Sequence, residues 1–290
     1  MPALPNTIVT DDVVHALDQE FVEHFDESIE EFNQVLGIVT PEVLPAGAAL
    51  YTYKTTGALN DTAVAEGEEV PLSHYAVTKQ PVGELEVHPY RKLTTAQAIL
   101  KGGVVNSILR EDNKMMKDIR ATIADKFFAF IKDGTGTATG VGLQDTLAQT
   151  RAELDVTLEN DHNSTESVVH FLNHKDVADY LGKAQVTIQN MFGMTYLESF
   201  LGVENVFLTN RVEKGTIWIT PSENLRMFAP DFGALSQGGL SYTVGDAGLI
   251  GVYHKPAYER TSVETYALTG VTYMPEYENY IVKGTIAPSA

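Results

Sequence analysis

Apolar residues recur along the first part of the chain at steps of three and four: Val14, Leu17, Phe21, Phe25, Ile29, Phe32 and Leu36. That period places them on one face of an α-helix. Thr10 suits an N-cap, Asp11 and Asp12 suit the positive first turn, and Gly37 followed by Pro41 ends the run. The opposite face carries Asp18, Glu23, Asp26, Glu27, Glu30 and Glu31. Such a helix can pack on its own domain with a solvated acidic face, or it can act as an arm on a neighbouring subunit. The pattern is compatible with both. Residues 1–10, with Pro2 and Pro5, read as irregular.

From Ala46 to about His88 the pattern changes. Leu50-Tyr51-Thr52-Tyr53 reads as a strand, and Tyr75, Val77, Val82, Leu85 and Val87 suggest a strand returning. The stretches between them are polar and turn-rich. A two-stranded excursion with few core residues is only marginally stable alone, so it needs a support, and a neighbouring subunit is a natural one. A second stripe follows: Ile108, Asp112, Met116, Ile119, Ile123, Phe127 and Phe130. It predicts a helix from about Val105 to Lys132, on the order of 40 Å long at the α-helical rise. Gly134, Gly136, Gly140 and Gly142 read as its stop.

Residues 143–250 read as a mixed unit. Leu143 to Leu158 has helical period, and a further helix is expected from about Lys175. Val168 to Leu172, Val206 to Leu208 and Thr216 to Ile219 are short apolar runs of strand type. Pro221 to Gly251 reads as a glycine-rich loop, whose Met227, Phe228 and Phe232 would either line a subunit interface or fold onto their own domain. Ser262 to Ile286, rich in Thr, Tyr and Val, reads as strands. The class is α+β.

Composition narrows the functional classes. There is no cysteine, which removes disulfides and thiolate chemistry. The net charge is −19, with no basic run longer than Arg91-Lys92, so phosphate-driven nucleic-acid binding is disfavoured. The first 53 residues hold ten carboxylates and no Lys or Arg. No apolar run reaches the roughly 18 residues of a membrane helix. The first residues lack the pattern of a secretory signal, so synthesis in a cytoplasm is expected.

A search for reactive constellations yields little. The glycines from Gly134 to Gly140 follow a helix, whereas a dinucleotide fingerprint follows a strand. Ala234 to Gly238 nearly matches a nucleophile elbow around Ser236, but its first glycine is missing. His170 and His174, with His162 nearby, have zinc-like spacing only on a helix, and Val168 to Leu172 reads as strand. The sequence therefore nominates no catalytic, cofactor-binding or metal-binding residue, and no enzyme activity.

Three stretches carry a family resemblance. Ala65 to Ile99, AEGEEVPLSHYAVTKQPVGELEVHPYRKLTTAQAI, resembles the extended loop of tailed-phage major capsid proteins and the strand back from it. Phe127 to Leu143, FFAFIKDGTGTATGVGL, resembles the end of that family's spine helix with its glycine-rich exit. Tyr280 to Ile286, YIVKGTI, resembles the last strand. The resemblance implies a Hong Kong 97-type fold and a shell of pentamers and hexamers around double-stranded DNA. On this template the N-terminal arm is 1–46, the extended loop 47–89 and the axial domain 141–255. The peripheral domain is split between 90–140, with the spine helix, and 256–290. The implied location is the virion, and the implied partners are other copies of the chain, a portal and other virion proteins. Only about 45 residues precede the loop, so a separate scaffolding protein is expected rather than a cleaved leading segment. An encapsulin-like bacterial nanocompartment shell is the alternative with the same fold.

Overall fold

A computed structural model describes residues 10–38, 40–181 and 188–288. Residues 1–9 of the segment expected to be irregular lie outside them, as does the side chain of Val14. Thr10 already begins helix α1, Thr10–Leu36. The remaining helices are α2, Ala96–Val104; α3, Arg110–Lys132; α4, Gly142–Asn160; α5, His174–Leu181; and the short α6, Gly233–Gln237.

The stripe of α1 is buried. Phe21, Val22, Phe25, Ile29, Phe32 and Leu36 are each at most 3% exposed and belong to the largest apolar cluster of the subunit. Of the two readings left open by the pattern, packing on its own domain is the one realised. The acidic face is not all wet, because Asp18 and Asp26 are buried too. Gly37, at φ 73°, turns the chain out of the helix in a conformation that favours glycine.

Helix α3 starts later than the stripe suggests. Gly103, at φ 75°, breaks the helical run within α2, and a π turn at Val105–Leu109 leads into α3. The regular part is 23 residues, or about 35 Å. Met116, Ile119, Ile123, Phe127, Phe128 and Ile131 are buried, while Phe130 is only half-buried. The rings of Phe32, Phe127, Phe192, Phe207 and Tyr273 pack edge-on or stacked between α1, α3 and the sheets.

Seven strands form the largest sheet. In spatial order they are Gly136–Val141, Val282–Ala287, Thr216–Pro221, Val168–Leu172, Val203–Leu208, Met194–Phe200 and Gln189–Met191. Its central strands are covered on both faces. Val168 and Leu172, Ile217 and Ile219, and Val206 and Leu208 meet α4 and its surroundings in one cluster. The intervening Val169, Phe171, Trp218 and Phe207 enter the cluster shared with α1 and α3. Double burial explains why these strands read as unbroken apolar runs. Glycine permits the close seating of α4: a Cβ at Gly140 would lie 2.5 Å from the Thr146 backbone, and one at Gly284 would collide with Thr150. Gly284 in the KGT of the last strand and Gly140 thus serve helix–sheet packing, while Gly134 and Gly136 let the chain pass close to Ile281 and Val282.

A second sheet holds Thr243–Val244, Ile250–Ala257, Ser262–Thr269 and His88–Thr95, and a third holds Glu42–Leu44, Leu225–Pro230 and Thr272–Pro275. The sheets do not follow the boundaries at 141 and 255. Gly136–Val141 and Val282–Ala287, expected with the spine helix, pair inside the seven-stranded sheet, while Ile250–Ala257 pairs with Ser262–Thr269. The expected loop from Pro221 to Gly251 is also corrected. Leu225–Pro230 is a strand between two partners, and Met227, Phe228 and Phe232 are buried in their own subunit. They do not form a free interface. The glycines that follow it, from Gly233 to Gly248, had masked it.

Candidate functional site

The positions with reactive potential do not converge. His170 sits mid-strand, its Nδ1 2.9 Å from the Glu204 carbonyl. Burial pushes its pKa down to about 4, so it is a neutral core residue. His174 is the first residue of α5, and His162 is exposed in the turn after α4. Among the described residues no group of three or more His, Asp or Glu could hold a metal ion. Ser236 is exposed on α6. A strand does end at Pro230, contrary to the sequence reading, but Ser236 lies within the helix rather than at its junction with the strand. Among the described residues no helix is long and apolar enough to cross a membrane.

What stands out is a surface. Ala49–Ala58 and His74–Glu84 pair antiparallel into a hairpin, with a register shift at Leu50/Tyr51. Directly opposed residues share a face. Tyr53 faces Lys79, Thr55 faces Val77 and Gly57 faces Tyr75. One face therefore carries Tyr51, Tyr53, Tyr75 and Val77, and the Lys79 ammonium lies 5.3 Å from the Tyr51 ring centre and 5.7 Å from that of Tyr53. The other carries Thr52, Lys54, Thr56, His74, Thr78 and Gln80. Tyr75 is 58% and Val77 63% exposed, and Leu72, in the connection between the strands, is 93% exposed.

Only the base of this hairpin is anchored. Leu50 and Leu85 pack with Phe228 and Met274 in a small cluster of their own. The Tyr53 N–H donates to the Glu276 carbonyl at 3.1 Å, and the Leu85 N–H to the Ala48 carbonyl at 2.8 Å. Arg226 ties this corner together by pairing with Glu42 at 2.7 Å and Glu276 at 2.5 Å. Tyr51 and Tyr53 line a cleft with Arg226, Phe228 and Met274, and beyond it the hairpin projects Tyr75 and Val77 largely uncovered by the described residues.

Sequence reasoning passed over a buried polar centre. His254 lies between Asp18 of α1 and Asp112 of α3, and Lys92 reaches the other oxygen of Asp112 at 2.8 Å. A signal for it existed: Asp112 interrupts an apolar stripe, and Asp18 falls on the same helical face as Phe21, Val22 and Phe25.

No protein-family model matches the chain, and no curated protein matches it either. Solved structures do. The mature capsid of bacteriophage PhiM1 is 8% identical at a TM-score of 0.54, covering 86% of this chain and 86% of that one. The capsid of cyanophage P-SCSP1u is 7% identical at 0.54, again covering 86% of each chain. The holo-SrpI encapsulin complex of Synechococcus elongatus PCC 7942 is 9% identical at 0.53, covering 87% of this chain and 86% of that one. At such identities the likeness is one of fold. The chain has the Hong Kong 97-type fold, with mixed helix and sheet.

Proposed function

We propose that this chain is the major capsid protein of a tailed bacteriophage. It self-assembles as pentamers and hexamers into an icosahedral shell around double-stranded DNA. The observation that carries the reading is the hairpin with its bare aromatic face, on a chain that shares its fold with phage capsids across 86% of its length. Tyr51 and Tyr53 line a cleft with Arg226, Phe228 and Met274, but Tyr75 and Val77 stand exposed beyond it; such a surface is a contact for another molecule, and a second copy of the chain provides one. The role is structural rather than enzymatic.

Residues 1–46 hold the place of the N-terminal arm, with α1 packed into its own subunit rather than onto a neighbour, and the extended loop is 47–89. α3 is the spine helix of the peripheral domain, together with the sheet containing His88–Thr95 and Ser262–Thr269. The seven-stranded sheet with α4 and α5 is the axial domain. The chain is made in the host cytoplasm and resides in the virion, beside a portal and other virion proteins. The net charge of −19 keeps the wall from gripping packaged DNA. A separate scaffolding protein assists assembly. The wet carboxylates of α1, among them Glu20, Glu23, Glu27, Glu30 and Glu31, offer it a face that salt would screen.

Tyr75→Asp combined with Val77→Asp tests this reading. Both positions are exposed in the subunit, so circular dichroism and thermal unfolding should match the wild type, with differences within about 0.5 kcal/mol. Closed particles should be absent by electron microscopy. Normal particles from the double variant would remove the hairpin face from assembly. The encapsulin likeness, at a comparable TM-score, supports a nanocompartment shell as the second reading. Particles isolated from the native source that hold protein cargo and no double-stranded DNA would favour it.

A further inference from the structure

Two buried carboxylates, Asp18 and Asp26, hold the middle turns of α1. Asp18 Oδ1 accepts from the backbone N–H of His254 at 2.9 Å and from its ring Nδ1 at 2.5 Å. On the other side Nε2 faces Asp112 Oδ2 at 3.2 Å. The His254 side chain has no solvent exposure. A neutral imidazole offers a single donor, so a carboxylate on each nitrogen is satisfied only by the doubly protonated ring. Lys92 stands behind Asp112 at 2.8 Å and is 3.7 Å from Glu111.

About two turns along α1, Asp26 is enclosed against the turn before Ile250–Ala257. Its Oδ1 is buried with no partner, and the Ala247 N–H donates to the carboxylate. Gly245 leaves room for it, because any Cβ there would collide with Oδ2. Glu30 and Asp246 face the group, and Glu23 and Glu27 line the same cleft of about 330 Å³. No Lys or Arg is among the described residues that line it.

We propose that the stretch of α1 from Asp18 to Asp26 is a proton-gated clasp on strand Ile250–Ala257 and the turn before it, tightest in mild acid and loosened as the solution turns basic. The clasp concerns the subunit by itself and stands whether or not the chain builds a shell. Burial opposes the charge on His254, but the hydrogen bonds to Asp112 and Asp18 outweigh it and raise the pKa from 6.5 to about 9. That contribution is fully present below 6.5 and is lost as pH rises through 9. For Asp26, burial is the main cause of a pKa raised from 3.8 to about 6; the Ala247 hydrogen bond opposes it, and Glu30 and Asp246 add to it. Its contribution is full below 3.8 and is lost as pH rises through 6. The two windows follow one another and act in the same direction. Beyond Asp26, α1 is anchored by Ile29, Phe32 and Leu36, so the opening is confined to the turns around Asp18 and Asp26.

Hydrogen–deuterium exchange on the full chain from pH 4 to 9 tests this, with rates corrected for the intrinsic pH dependence of each amide. The opening constant of residues 17–26 should rise at least tenfold across the range, while that of Leu147 to Leu158 in α4 stays flat. Asp26→Asn should abolish the rise below pH 6 and keep the one above it. His254→Gln should abolish the rise above pH 6.5. If His254→Gln does not fold, the wild-type profile and Asp26→Asn decide. A flat or falling wild-type profile overturns the clasp, as does an unaltered low-pH rise in Asp26→Asn.

Discussion

Ile119 shows how little tolerance the centre of the subunit has. It is 1% exposed on α3, inside the cluster that joins α1, α3 and two sheets. Ile119→Asp places a carboxylate there without a partner, at a cost of about 4 kcal/mol or more. That is a large share of the ~5–15 kcal/mol holding a typical domain. Insoluble protein is expected on expression, and soluble protein with a wild-type unfolding midpoint would show that the stripe is misplaced. Asp112, on the same stripe, is tolerated because His254 and Lys92 meet its two oxygens. A buried charge with partners and one without are different objects, and the sequence does not distinguish them. Asp112 was legible as an interruption of an apolar stripe, but Asp18 was read with the acidic face although it is buried, and His254 comes from another part of the chain, so only the folded arrangement identifies it as their partner.

Among the elements, α1 changes most between sequence and structure. Its period, start and stop were legible, because a helix announces its face locally. What that face meets is not local. A chain starting at Thr40 would lose Phe21, Val22, Phe25, Ile29, Phe32 and Leu36 from the largest cluster. At roughly 1.5–3 kcal/mol per buried side chain, the loss is on the order of 10 kcal/mol. The truncated chain should fail to fold cooperatively, which circular dichroism during thermal unfolding would show. A cooperative transition with near-native helix content would return α1 to the role of a detachable arm. Strand Leu225–Pro230 went unread for a related reason. Its neighbours Glu42–Leu44 and Thr272–Pro275 are distant in sequence, and the glycines from Gly233 onward gave the region the look of a loop. The hairpin was legible as two strands, yet the sorting of Tyr51, Tyr53, Tyr75 and Val77 to one face depends on the register.

For the whole molecule, the order of a hairpin, a long helix with a glycine exit and a closing KGT strand was legible, and the fold agrees with it. The glycines had physical reasons: Gly140 and Gly284 let α4 sit on the seven-stranded sheet. The assignment of strands to sheets was not legible, because the last strand returns across the chain to lie beside Gly136–Val141. Two features make the subunit look incomplete by itself, a projecting hairpin with a bare aromatic face and a strongly acidic surface. The most direct measurement is electron microscopy of the purified chain, alone and with the scaffolding protein expected beside it. The account predicts closed icosahedral particles whose walls resolve into pentamers and hexamers, with each hairpin lying on a neighbouring copy. A compact monomer under both conditions, its hairpin face open to solvent, would contradict it.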